Sequence, residues 1–130
     1  MDDTESPTQR LRTLLVDGTR QLREWRFARR VCNEALRAYD VVRERSPALA
    51  GPALYEAVIA QRLQLDPAQA QRMLQDAHAS REDWDNERGV CLRDVVLYMI
   101  VSEYLREGKG HRGMSLDLPS FLDQRVPAHL

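Results

Sequence analysis

A chain of 130 residues, 43% hydrophobic and 30% charged, has the size and make-up of one ordinary globular domain. It can bury roughly two-thirds of its unfolded surface, enough for a core without disulfide or metal staples. Nineteen basic residues against twenty acidic ones leave a formal net charge of −1, which excludes a global field drawing the chain to nucleic acid or to an anionic membrane.

Residues 1–7, with two Asp, one Glu and Ser6-Pro7, hold little that could be buried and are expected to be disordered. They contain no apolar h-region, so a cytoplasmic protein without a signal peptide is expected. Helical periodicity begins near Thr8 with Leu11, Leu14 and Leu15. Asp17-Gly18-Thr19 reads as a break, because Gly costs about 1 kcal/mol inside a helix and Thr can cap a new one. From Thr19 to Arg45 the pattern is strong. Trp25, Ala28, Cys32, Ala35, Tyr39 and Val42 recur at spacings of three and four, widened by Leu22, Val31 and Leu36. Arg23, Arg26, Arg30, Glu34 and Arg37 occupy the opposite face.

Three start signals follow. Ser46-Pro47, Gly51-Pro52 and Asp66-Pro67 each place Pro where a first helical residue tolerates it. They predict a turn and then helices over Pro52–Leu63 and Pro67–Ala79. Ser80 to Gly89 is a polar, acidic connection holding Trp84. Val90 to Arg106 carries apolar or aromatic residues on every side of a helical wheel, so it is expected to be the central helix with the others packed round it. Its apolar run, Val95 to Val101, is too short to cross a bilayer. Residues 108–113 read as a flexible hinge, and Pro119 starts one more helical turn before Pro127. The expected fold is all-α: a single-domain bundle of about five helices around residues 90–106.

The most motif-like stretch is Tyr55 to Ala77. Small Ala60 stands where two helices must approach, and Ile59, Leu63, Leu65, Ala70 and Met73 or Leu74 stand where they would lock together. Asp66-Pro67 opens the second helix. On these residues the stretch resembles the helix-turn-helix of bacterial DNA-binding proteins. The resemblance covers 23 of the 130 residues and implies that Gln69, Gln71, Arg72 and Gln75 face base edges. Gln64 departs from the motif by occupying the turn position usually held by Gly, where a left-handed conformation costs roughly 1 kcal/mol. Arg72 is the one basic residue in the second helix apart from His78, so phosphate contacts would fall to the stripe Arg23, Arg26, Arg30 and Arg37. As a solvated face, that stripe would instead see Glu34 pair Arg30 and Arg37 at helical spacings.

Enzyme chemistry finds little support. His78, His111 and His129 share no metal-type spacing, and no phosphate-loop, dinucleotide or nucleophile-elbow motif occurs. Glu103, on the most apolar helix, is the one candidate acid or base. The first expectation is therefore a non-enzymatic helical protein without cofactor or metal, acting through a protein partner or itself. A homodimer through the 8–45 region is predicted, and Trp84 is a candidate interface anchor. DNA binding through the 55–77 hairpin comes second, and an enzyme with a carboxylate site on the central helix third.

Overall fold

The computed structural model describes residues 6–79, 91–107 and 114–130, and for 13–17 the backbone alone. The expectations for residues 1–5, for the acidic connection with Trp84 and for the 108–113 hinge lie outside the described residues. Among these the fold is all-α, with helices α1 (Pro7–Arg45), α2 (Gly51–Leu63), α3 (Pro67–Ala79), α4 (Leu92–Arg106) and α5 (Leu118–Asp123).

α1 is a single helix of 39 residues, roughly 58 Å long at 1.5 Å per residue. It starts earlier than expected because Ser6 is an N-cap rather than part of a loose tail. The Ser6 hydroxyl accepts from the Gln9 amide at 3.2 Å, and the Gln9 side chain accepts from the Ser6 amide at 3.0 Å. Pro7 then sits at the first helical position, where its missing N–H is harmless. The expected break at Asp17-Gly18-Thr19 does not occur. One interior Gly weakens a helix by about 1 kcal/mol, which the flanking turns absorb.

α1, α2, α3 and α4 pack in a ring, each against the next, with α4 closing onto α1 and α5 resting on α4. The inward face of α1 is lined by small side chains, Ala28, Val31, Cys32, Ala35 and Ala38, all buried. That lets the larger Ile59 of α2 and Met99 and Ile100 of α4 fill the interior at close packing. The buried face is rotated from the one expected. Phe27 joins it, edge-on to Tyr104 with ring centroids 5.2 Å apart, whereas Trp25, Leu36 and Tyr39 are half-buried and Leu22 is exposed.

α4 is one member of the ring rather than a centre with the other helices packed round it. Val96, Met99 and Ile100 are wholly buried, and the helix touches α1, α3 and α5. It is not enclosed on every side, however: Val101 and Leu105 are exposed, because the ring covers three flanks and leaves the outer edge of its last turns to solvent. Cys91 and Asp94 cap its start, the Asp94 carboxylate accepting from the Cys91 amide at 2.9 Å. The oxygen of Leu130 ties α2 to α4, accepting from the Tyr55 hydroxyl at 2.6 Å and the Leu92 amide at 3.3 Å. No described helix is long and apolar enough to cross a membrane.

Candidate functional site

The hairpin of α2 and α3 is the first candidate. α2 ends in Gln64, at φ 56° and ψ 47°, the left-handed conformation that the motif's usual Gly adopts freely and Gln does not. The chain reverses there by a Schellman arrangement, with the Leu65 amide donating to the Ala60 carbonyl at 3.3 Å. α3 then opens on a reciprocal cap. The Asp66 carboxylate accepts from the Gln69 amide at 2.8 Å, and the Gln69 side-chain oxygen accepts from the Asp66 amide at 3.1 Å. Ala70, Leu74 and Ala77 are buried against the bundle, while Gln69, Gln71, Arg72 and Gln75 all face solvent. Three of these four carry no structural bond among the described residues; Gln69 is occupied in the cap.

The Arg stripe of α1 is elsewhere. Arg23, Arg26, Arg30 and Arg37 are exposed, but α1 and α3 each pack on α2 and α4 rather than on one another. The stripe and the outer face of α3 therefore lie on helices that are not neighbours in the ring. Arg30 lies over the Phe27 ring at 5.0 Å and pairs with Glu107 at 3.5 Å, and Arg37 donates to the Asn33 carbonyl at 3.4 Å. Glu34 does not pair with Arg30 or Arg37 as expected. It turns inward to Arg62, 3.1 Å away, because a guanidinium with almost no access to water attracts a carboxylate more strongly than an exposed one does.

Arg62 is the centre of a cluster that sequence spacing did not show. Its side chain is 4% exposed, and its two terminal nitrogens grip both oxygens of Glu103 at 2.5 and 2.9 Å. Burial by itself lowers the Arg62 pKa, but the hydrogen bond and charge of Glu103, helped by Glu34, outweigh it and leave the guanidinium more firmly protonated than usual. Glu103 is thus the counter-ion of a bidentate pair joining α2 to α4. A second buried carboxylate, Glu24, is wholly inaccessible. It accepts from the Ser115 amide and hydroxyl at 2.9 and 2.7 Å and from the Leu116 amide at 3.1 Å, with Arg20 beside it at 3.3 Å. It fastens the 114–116 segment to α1.

One open cleft, of about 490 Å³, lies between the C-terminal end of α1 and the hairpin turn, lined by Val42, Arg45, Leu49, Ala57, Gln61, Gln64 and Asp66 among others. Arg45 donates to Gln61 there at 3.3 Å. Arg45 is therefore the cation beside the turn, a placement that only the packing of α1 on α2 reveals. Among the described residues no group of three or more His, Cys, Asp or Glu could hold a metal ion.

The second candidate surface is the N-terminal half of α1. Glu24 and Phe27 are the first residues of the helix to enter the core, so the helix runs some seventeen residues beyond it. No side chain described there is buried, and Leu11 and Leu22 are 58% and 47% exposed. In comparisons with known proteins, no family model, no curated protein and no solved structure matches the chain.

Proposed function

We propose that the chain works without catalysis, by binding another protein chain along the N-terminal half of α1. The observation that carries this is the helix itself: it runs some seventeen residues beyond the first core residue, Glu24, with no buried side chain among those described, and two of its leucines are exposed. Exposed apolar side chains close together on one helix mark an interaction surface. The test is capture of partners, with identification by mass, on wild type and on Leu11→Arg/Leu22→Arg. Both positions are exposed, so the variant keeps its thermal midpoint. A bound protein, or the chain itself, retained by wild type and lost by the variant is the expected result. Identical bound sets would refute the reading.

DNA binding by the hairpin is the second reading, favoured by the left-handed Gln64 turn and by Gln71, Arg72 and Gln75 facing outward. In that case Arg72→Ala relaxes sequence preference by about 1–3 kcal/mol. Phosphate contacts then fall to Arg45, beside the turn, rather than to the stripe across the ring. A gel shift with random duplex at about 50 mM salt decides between the two, since non-specific binding is strongest there. Retardation that salt abolishes would favour DNA.

A further inference from the structure

We infer that the partner of α1 is an acidic, amphipathic protein segment, laid along the outward face of the helix as far as Arg37. This rests on the reading of α1 as a protein-binding surface and names the chemistry of what it binds.

The near-neutral total conceals a segregation of charge. α1 carries ten basic residues and five acidic ones, a net +5, while the rest of the chain carries nine and fifteen, a net −6. Folding sharpens the contrast. Between Gly18 and Tyr39 the helix has two carboxylates, Glu24 and Glu34. Both are drawn inward, the first onto Ser115 and Leu116 and the second onto Arg62. Arg23, Arg26, Arg30 and Arg37 stay exposed, and they share an arc of roughly 60° over about 21 Å of helix. Arg30 has Glu107 at 3.5 Å, and Arg37 meets the Asn33 carbonyl. Arg23 and Arg26 have no partner among the described residues. Like charges held in one strip without counter-ions raise the potential there and attract an anion.

Beside that strip runs an apolar one. Leu11, Leu22, Trp25 and Leu36 fall in the neighbouring arc of roughly 60°, the first two exposed and the others half-buried, with Arg29 lying over Trp25 between them. A nucleic-acid backbone offers the leucines nothing apolar. Trp25 already carries Arg29 and Arg125, each 5.3 Å from its ring, and so makes a poor platform for a stacked base. An interfacial helix needs a broad apolar face to enter a bilayer, which two exposed leucines do not supply. A protein helix with carboxylates on one side of an apolar stripe matches both strips at once, and Arg grips carboxylates bidentately.

Fluorescence anisotropy tests this with a fluorescein-labelled helical peptide of about 15 residues, the length that spans the strip. The probe carries leucines at spacings of three and four, with glutamates flanking them. Wild type should bind it below about 100 μM and at least fivefold more weakly as salt rises from about 50 to 200 mM. The same peptide with Gln for every Glu should bind at least tenfold more weakly. Arg23→Glu/Arg26→Glu alters two exposed positions without partners, so it should keep its thermal midpoint, lose binding at least tenfold and flatten the salt dependence. No binding at about 500 μM, or binding indifferent to Arg23→Glu/Arg26→Glu, would overturn the inference. So would random DNA duplex or phosphatidylserine vesicles that bind more tightly than the peptide at equal salt. Arginine at 11 and 22 would meet the partner's apolar side chains rather than its carboxylates, so Leu11→Arg/Leu22→Arg still loses the partner. A captured protein lost with Leu11→Arg/Leu22→Arg but kept by Arg23→Glu/Arg26→Glu leaves α1 a binding surface and makes only the acidic partner wrong. If neither variant changes what is captured, the broader reading fails as well.

Discussion

Replacing Arg62 by alanine removes the cation from between two carboxylates. Glu103 is 16% exposed and loses both hydrogen bonds of its bidentate pair, while Glu34, 41% exposed, loses one. Breaking a buried pair by deleting one member costs about 3–5 kcal/mol, because the remaining charge is left in a poor solvent. Glu34 is wet enough for its share to fall to about 0–1 kcal/mol, and Glu103 keeps some access to water. The loss should therefore lie near the bottom of that range, about 3 kcal/mol. With a urea slope of about 1.5 kcal/mol per molar for a domain of this size, the unfolding midpoint should fall by about 2 M. Arg62→Met/Glu103→Leu removes both charges and should lose less than Arg62→Met alone, with a coupling energy of about 2 kcal/mol across the cycle. Arg62→Lys should fall between, since one ammonium cannot hold both Glu103 oxygens in a planar fork. An Arg62→Ala midpoint within about 0.5 M of wild type would show that the cluster is not the bridge between α2 and α4.

Three further outcomes follow from other sites. Ile100→Ala, at a wholly buried position of α4, should cost about 2–5 kcal/mol, and an unchanged thermal midpoint would refute the burial of that face of the helix. Gln64→Gly, which relieves a non-glycine residue at φ 56°, should stabilise by about 0.5–1 kcal/mol, less whatever the exposed Gln64 bond to the Gln61 carbonyl contributes; a lower denaturation midpoint would contradict the strain. Burial pushes the Cys32 thiol above its ordinary value of 9.0, against the opposing charge of Arg125. Folding therefore favours the protonated thiol, and the stability it contributes is complete below about pH 9 and is lost as pH rises beyond it. Thermal midpoints should fall between pH 9 and 10.5, and less steeply for Cys32→Ala; parallel curves for the two proteins would rule this out.

What the sequence determined by itself is what short-range chemistry controls. The Pro-marked starts of α2, α3 and α5 and the apolar content of α4 depend on nearby residues, whose caps and periodicity are visible in one dimension. Tertiary structure decided what depends on distant partners. Glu24 looked like any charged helix residue until Ser115 and Leu116, about ninety positions away, supplied three donors that let it be buried. Arg62 looked like a surface arginine at the end of α2 until Glu34 and Glu103 converged on it from two other helices. Those two anchors, with Phe27 against Tyr104, turn α1 so that Trp25, Leu36 and Tyr39 are only half-buried. Hydrophobic spacing defines a face only to within its own width, whereas a buried ion pair or carboxylate cage has directional geometry and selects the rotation within that width.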